Sequence, residues 1–400
     1  MRHTQSLRSP AAEASAADGP AHGSDAPDGM DRTPPPLPKL EGPTAPGWRE
    51  RCGGWVRAAA WQALGFALSV LGGWVAHRAG MPLPWLLGAL AVTAVLAAFG
   101  RTVNVVALRS YALVLLGLGL GQSFSPTILL SIAQALPLIA GSSVLTIVTG
   151  LAAARIYIRM VGLDPKTAFF CGVPGGVVLM AIHAQRAGVS ESHVTLAQTI
   201  RLMMVVVIYP LLIATVLPHE LAADGWSETA TATSLPILVM WCLAGLGAAH
   251  VGRTLGLPNP WMLAPCVLAI ALASSGSLPA HLPPLLIIMA QVVLGASLGA
   301  RMTPDFIRSA GPLLLASVLS TLLLCALLLS LGALVSLWGG LPMTATLLGM
   351  APGGMPEMAV TAHDMGASVP LVLGFHLVRV VLSNLLMEPI WRAARALRLI

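Results

Sequence analysis

Two arginines, Arg201 and Arg379, stand inside stretches that are otherwise apolar. Each follows another hydrogen-bonding side chain by three residues, Gln198 and His376. That spacing puts both groups on one face of a helix. A charged side chain inside a bilayer costs several kcal/mol on insertion scales, so it faces protein or a wet cavity. Two readings follow. Either the paired groups coordinate an anion, or each arginine caps the carbonyls of a broken helix or pairs with an acid. Glu357 is the one acid within an apolar run, and Leu179 occupies the matching position earlier in the chain. Glu357 could take a proton, bind a cation, neutralise Arg379 or Arg201, or hold two helices in register as a buried ion pair.

A helix-breaking triplet precedes each arginine, Pro174-Gly175-Gly176 and Pro352-Gly353-Gly354. Such a break frees backbone amides at the start of the next half-helix, where the positive end of the helix dipole favours an anion. Glycines can also serve close helix packing alone. Breaks at matching points of two halves point to a transporter binding site. His183, His363 and Asp364 lie near the ends of the half-helices, as a proton relay or as interfacial residues. Lys166, Arg109 and Gln291 are isolated features to which the sequence attaches no weight.

The elements that must position these groups are repeated as well. The offset that takes Arg201 to Arg379 also takes Gly121 and Pro126 to Gly299 and Pro304, and Met180-Ala181 to Met358-Ala359. It takes Ala184 to Ala362 and Gly188 to Gly366. Pro84-Trp85 returns as Pro260-Trp261 at a slightly shorter offset, a drift that one small loop difference explains. Apolar stretches run over about 58–76, 84–99, 104–122, 130–154 and 194–217, then 233–251, 260–276, 284–300, 311–338 and 369–391. A span needs roughly 20 residues, and the second stretch of each half is short. Windows 163–188 and 341–366 each hold two short apolar runs around the Pro-Gly-Gly. Two half-helices forming a re-entrant hairpin fit their length, with one kinked crossing helix as the alternative. The expected fold is an all-α polytopic membrane protein of two inverted repeats, 55–217 and 233–395. Each repeat has about five transmembrane helices and one broken segment. The Pro-rich stretch 1–48 is expected to be a disordered tail.

Composition supports lipid as the solvent. Hydrophobic residues make up 56% and charged residues 10%, with a mean hydropathy of +0.81, whereas soluble domains carry about 25% charged residues. The net charge of +6 falls at span ends rather than in a basic patch, so no direct nucleic-acid binding is expected. With both termini in the cytoplasm, ten crossings place Arg101, Arg155, Arg159, Lys166, Arg186, Arg253, Arg301 and Arg308 inside, with Arg78 the exception. The loop with Glu220, Asp224 and Glu228 then falls outside, as the positive-inside rule asks. Five crossings per repeat invert one half against the other. Five cysteines form no Cys-x-x-Cys pair and read as reduced thiols.

The elements Pro84-Trp85-Leu86-Leu87-Gly88, Gly121-Gln122, Val173-Pro174-Gly175-Gly176, Ala351-Pro352-Gly353-Gly354-Met355-Pro356-Glu357-Met358 and His376-Leu377-Val378-Arg379 make the chain, over about 60–395, resemble the AbrB-type bacterial membrane protein family. That family also carries an ammonia monooxygenase label. The resemblance implies a multi-pass inner-membrane protein with an internal duplication and a link to the regulation of gene expression. The residues themselves point to a secondary transporter of a small anionic solute, with proton or Na⁺ coupling through Glu357. An indirect part in gene regulation is the alternative. A monooxygenase is the weakest reading, since no His-x-x-x-His or His-x-x-Glu pair lies in a span. The chain is thus expected to be no enzyme and to use no cofactor or metal. Its expected partners are the lipid bilayer, a small-molecule solute and, as an open possibility, further copies of itself.

Overall fold

The computed structural model describes residues 48–216 and 234–397. The expected tail, apart from Trp48, and the acidic loop with Glu220, Asp224 and Glu228 lie outside the described residues. The larger compact unit begins at Gly53.

Among the described residues the chain forms fourteen helices and no strand. They are α1 Trp48–Arg78, α2 Pro84–Ala98, α3 Val106–Gly121, α4 Pro126–Val161, α5 Pro165–Gly172, α6 Val177–Arg186, α7 Glu191–Val216, α8 Leu235–Thr254, α9 Pro260–Ser274, α10 Pro284–Gly299, α11 Pro304–Gly339, α12 Met343–Met350, α13 Met355–Asp364 and α14 Val369–Ala396. The order falls into two runs of seven with matching lengths. α2 and α9 have 15 residues each, α3 and α10 have 16, α4 and α11 have 36, α5 and α12 have 8, and α6 and α13 have 10.

The ends of these helices follow local chemistry. Proline opens α2, α4, α5, α9, α10 and α11, where its missing N–H had no partner to lose. Ser125 and Thr303, at matched positions, cap α4 and α11 by accepting from the amides of Ile128 and Phe306. Both 36-residue helices stop at a left-handed glycine, Gly162 (φ 71°) and Gly340 (φ 61°), a conformation that costs glycine least. α11 is bent near its start, where Gly311 leaves the helical region ahead of Pro312.

Among the described residues, six helices are long and apolar enough to cross a membrane: Ala59–Arg78, Leu130–Val161, Glu191–Val216, Leu235–Thr254, Pro304–Gly339 and Val369–Ala396. The protein is therefore all-helical and of polytopic membrane type. α2, α3, α9 and α10 are shorter. Sixteen residues reach only about 24 Å at 1.5 Å per residue, short of a ~30 Å hydrocarbon core. The apolar stretch 104–122 suggests a full-length span, yet its helix begins only at Val106. Gln62 holds the preceding residues in a non-helical path, accepting from the Asn104 amide at 2.6 Å and donating to the Thr102 carbonyl at 3.4 Å. The stretch 130–154 errs the other way, because α4 continues to Val161.

The short helices pair across the halves, α2 with α10 and α3 with α9. A methyl group on Gly117 would strike the Met262 carbonyl, and one on Gly121 the Cys266 carbonyl. In the matched pair, Gly295 meets the Leu86 carbonyl and Gly299 the Leu90 carbonyl. Gly117 and Gly121 correspond to Gly295 and Gly299, so both halves use small residues four apart to let backbones touch.

α5 and α6 form a hairpin. Lys166 at the start of α5 donates from Nζ to the carbonyl of Ala187, just beyond α6, at 3.2 Å. α5 runs back along α4, where Gly172 lies against the Gly150 backbone. The hairpin is held from within, since Met180 packs over Gly175. The four described cysteines, Cys171, Cys242, Cys266 and Cys325, are free thiols.

Candidate functional site

Arg201 on α7 and Arg379 on α14 are both buried, and each shares three matched bonds with the residues around it. Arg201 Nη1 donates to the Val173 carbonyl at 3.2 Å, and Arg379 Nη1 donates to the matching Ala351 carbonyl. Arg201 Nη2 donates to Gln198 Oε1 at 2.6 Å, and Arg379 Nη2 donates to His376 Nδ1 at 2.8 Å. Gln198 Nε2 donates to the Phe170 carbonyl at 2.9 Å, and His376 Nε2 faces the matching Leu348 carbonyl at 3.2 Å. An arginine only donates, so His376 Nδ1 must accept and the ring proton sits on Nε2. Histidine thereby does the work of a glutamine.

This equivalence is testable. His376→Gln should fold with a melting temperature close to that of the native protein. His376→Ala should be destabilised by about 1–3 kcal/mol, the cost of a buried carbonyl and an arginine N–H left without partners. A His376→Gln protein as unstable as His376→Ala would show that the two halves are not chemically equivalent here.

The halves differ in a further bond. Arg201 Nε donates to the Pro352 carbonyl at 3.0 Å, so one guanidinium holds both broken segments together. Arg379 instead spends its remaining contact on Gly353 of its own half, at 3.1 Å. The sequence left open whether the arginines bind an anion, cap carbonyls or pair with an acid. The structure puts both on carbonyls, Gln198 and His376 included in the same network. Among the described residues no carboxylate lies within ion-pair distance of either arginine.

Glu357 has a partner the sequence did not offer. It bonds neither Arg201 nor Arg379 but Arg109 on α3, Oε1 to Nη2 at 3.3 Å. Arg109 also donates from Nη1 to Ser297 Oγ on α10. Its side chain is 22% exposed and that of Glu357 only 2%. The physical reason is the register of α13. Glu357 lies in the first turn, folded back over Gly354, whose missing side chain leaves the space its carboxylate occupies. That turn faces α3, whereas Arg201 and Arg379 engage carbonyls on the other side of the break. The N-terminus of α13, a candidate anion site in the sequence, thus carries its own carboxylate. The N-terminus of α6 has no acid in its first turn, and its Gly176 is exposed with φ 86°.

The structure therefore links Gln198, Arg201, Pro352, Gly353, His376 and Arg379 in one network of bonds, with Pro174 next to the bonded Val173, Gly354 under the Glu357 carboxylate, Gly175 against Met180 and Gly176 exposed. His183 bonds Asn384 of α14 at 2.7 Å, and Asp364 accepts from the Leu83 amide at 2.9 Å. His183 lies in the last turn of α6 and Asp364 ends α13, and neither is among the partners of the two arginines. Arg109 was missed because a single arginine near a span end is ordinary. A signal did exist: Arg109 and Glu357 correspond to Ile287 and Leu179, so both charges of this pair stand where the other half has an apolar residue. Among the described residues no three His, Cys, Asp or Glu are placed to hold a metal ion.

The fold and junction define an all-helical protein of polytopic membrane type whose two runs of helices carry the same bonding pattern. The profile of the family described as "Transition state regulatory protein AbrB" matches residues 104–395, and the chain belongs to that family. It is 26% identical over 357 residues to "Uncharacterized protein YhjN" of Bacillus subtilis (strain 168), covering 82% of this chain and 91% of that protein. It is 24% identical over 287 residues to "Putative regulator AbrB" of Escherichia coli (strain K12), covering 69% of this chain and 79% of that one.

Proposed function

We propose that this protein is a secondary transporter of a small anionic solute in the bacterial inner membrane, with both termini in the cytoplasm. Two inverted repeats of five crossings each carry a re-entrant Pro-Gly-Gly hairpin. The observation that carries the reading is the pair of buried guanidiniums at the junction of the two broken segments. Each is bonded to carbonyls, and among the described residues neither faces a carboxylate. Carbonyl dipoles orient a guanidinium but leave its charge uncancelled, and an uncompensated charge in a dry interior is costly. An anion entering the junction supplies the missing charge, and the planar fork of arginine suits a carboxylate. Matched helix lengths and matched bonds support the repeat, and the Lys166–Ala187 contact supports the hairpin.

The test is uptake into vesicles containing the purified full-length protein, with labelled mono- and dicarboxylates and an uncharged sugar as control. Saturable uptake of a carboxylate, lost in Arg379→Ala, is expected. Uptake of the sugar alone, or uptake unchanged in a well-folded Arg379→Ala protein, would sink the assignment. Coupling is assigned to Glu357: Glu357→Gln should retain uptake while losing its dependence on a proton or Na⁺ gradient. The orientation has its own check. A thiol placed at Ser227 should react with a membrane-impermeant reagent added outside cells; reaction from the inside alone would rule out the ten-crossing arrangement.

The regulator named among the relatives favours a second reading, an indirect effect on gene expression through the level of the transported solute. We propose no enzymatic activity.

A further inference from the structure

The halves share a bonding pattern but not a conformation, and the differences fall at matched positions. α13 is buried from Met355 through Ala362, whereas α6 buries only Met180 and Ala184. Val178 is 71% exposed, while its counterpart Pro356 is buried. α13 lies against α3, and there Glu357 meets Arg109. The same contact, carried to the matched positions, would join α6 to α10 through Leu179 and Ile287. Leu179 is only half-buried. The crossed arginine bond is one-sided too: Arg201 reaches the Pro352 carbonyl, and its mirror, Arg379 to the Pro174 carbonyl, is unmade because Arg379 turns to Gly353.

We propose that the chain has a second conformation in which the halves exchange roles. α6 docks on α10 with Leu179 against Ile287, Arg379 takes the Pro174 carbonyl, and the Arg109–Glu357 pair parts as α13 leaves α3. Arg109–Glu357 is then a gate, and Leu179–Ile287 is its apolar counterpart. A desolvated ion pair is close in energy to a packed apolar contact, so neither conformation need dominate. The purpose of the exchange rests on the transporter reading; its geometry does not.

The experiment is a cross-link in the full-length protein in vesicles, with the native cysteines replaced and a protease site inserted between residues 217 and 233. Leu179→Cys and Ile287→Cys are joined by a short bifunctional thiosulfonate, and cleavage then separates the halves unless the link has formed. A minor linked fraction is expected with the gate intact. It should rise by roughly threefold in Glu357→Gln, since loss of the pair shifts the population toward the second conformation. Ser297→Ala removes only the hydroxyl bonded to Arg109 and should raise the fraction in the same direction, which covers a folding failure of Glu357→Gln. No link, or a yield no higher in either variant, overturns the proposal. The cross-link needs no solute. A linked protein that moves no carboxylate would count against transport alone, and transport without the link against the exchange alone.

Discussion

Arg201→Ala should be the most damaging single change in the junction, lowering the melting temperature and abolishing carboxylate uptake together, and by more than Arg379→Ala. Arg201 bonds the Val173 carbonyl of one half and the Pro352 carbonyl of the other. Removing it leaves the Pro352 carbonyl and Gln198 Oε1 short of a donor, while the Val173 carbonyl keeps its bond from Gln198. Each unsatisfied group costs about 1–3 kcal/mol, and the side-chain bridge between the two Pro-Gly-Gly breaks is gone. Arg379→Ala frees the Ala351 and Gly353 carbonyls and His376 Nδ1, all in its own half, so the halves stay joined through Arg201 and the ranking rests on that crossed bond. Stability should fall less, and uptake should still be lost. Arg379→Lys keeps the charge but cannot reach two carbonyls and His376 from one ammonium, so binding should weaken. Melting temperature and vesicle uptake measured on the same preparations separate these outcomes. Equal stability losses in Arg201→Ala and Arg379→Ala would mean that the crossed bond holds nothing.

Gly295→Ala is expected to be nearly as severe for folding, although it adds one methyl group. That methyl would strike the Leu86 carbonyl, which belongs to the backbone of α2 and cannot rotate away. Overpacking of this kind costs about 1–3 kcal/mol and more when backbone must move. Gly117→Ala should act likewise against the Met262 carbonyl, and the double variant should fail to give a monodisperse protein. Gly247 is the control, since a methyl there meets nothing within 4 Å. Gly247→Ala on α8 should be neutral or gain up to about 1 kcal/mol from better helix propensity. If Gly295→Ala melts with Gly247→Ala, the close crossing of α2 and α10 is not what holds the halves together.

These two predictions rest on kinds of information that the sequence carried unequally. Helix positions, their proline starts and the two breaks were legible, because lipid demands that each segment satisfy its own backbone and that demand is met locally. The matched residue offsets were legible directly from the sequence, so Arg201 and Arg379 could be singled out with Gln198 and His376 before any contact was known. The lengths were less so. Gln62, on α1, shortens α3 by holding the residues before it, and nothing in the apolar run itself records this. Partner choice belonged wholly to the tertiary structure. Glu357 could have met any of several arginines, and it met Arg109, far earlier in the chain, because the first turn of α13 faces α3. Likewise only the assembled helices decided that Gly117 and Gly121 let α3 take α9, and that Gly295 and Gly299 let α10 take α2. Local composition sets where a membrane helix begins and breaks; which faces meet depends on packing summed over the whole fold, and no single segment contains that sum.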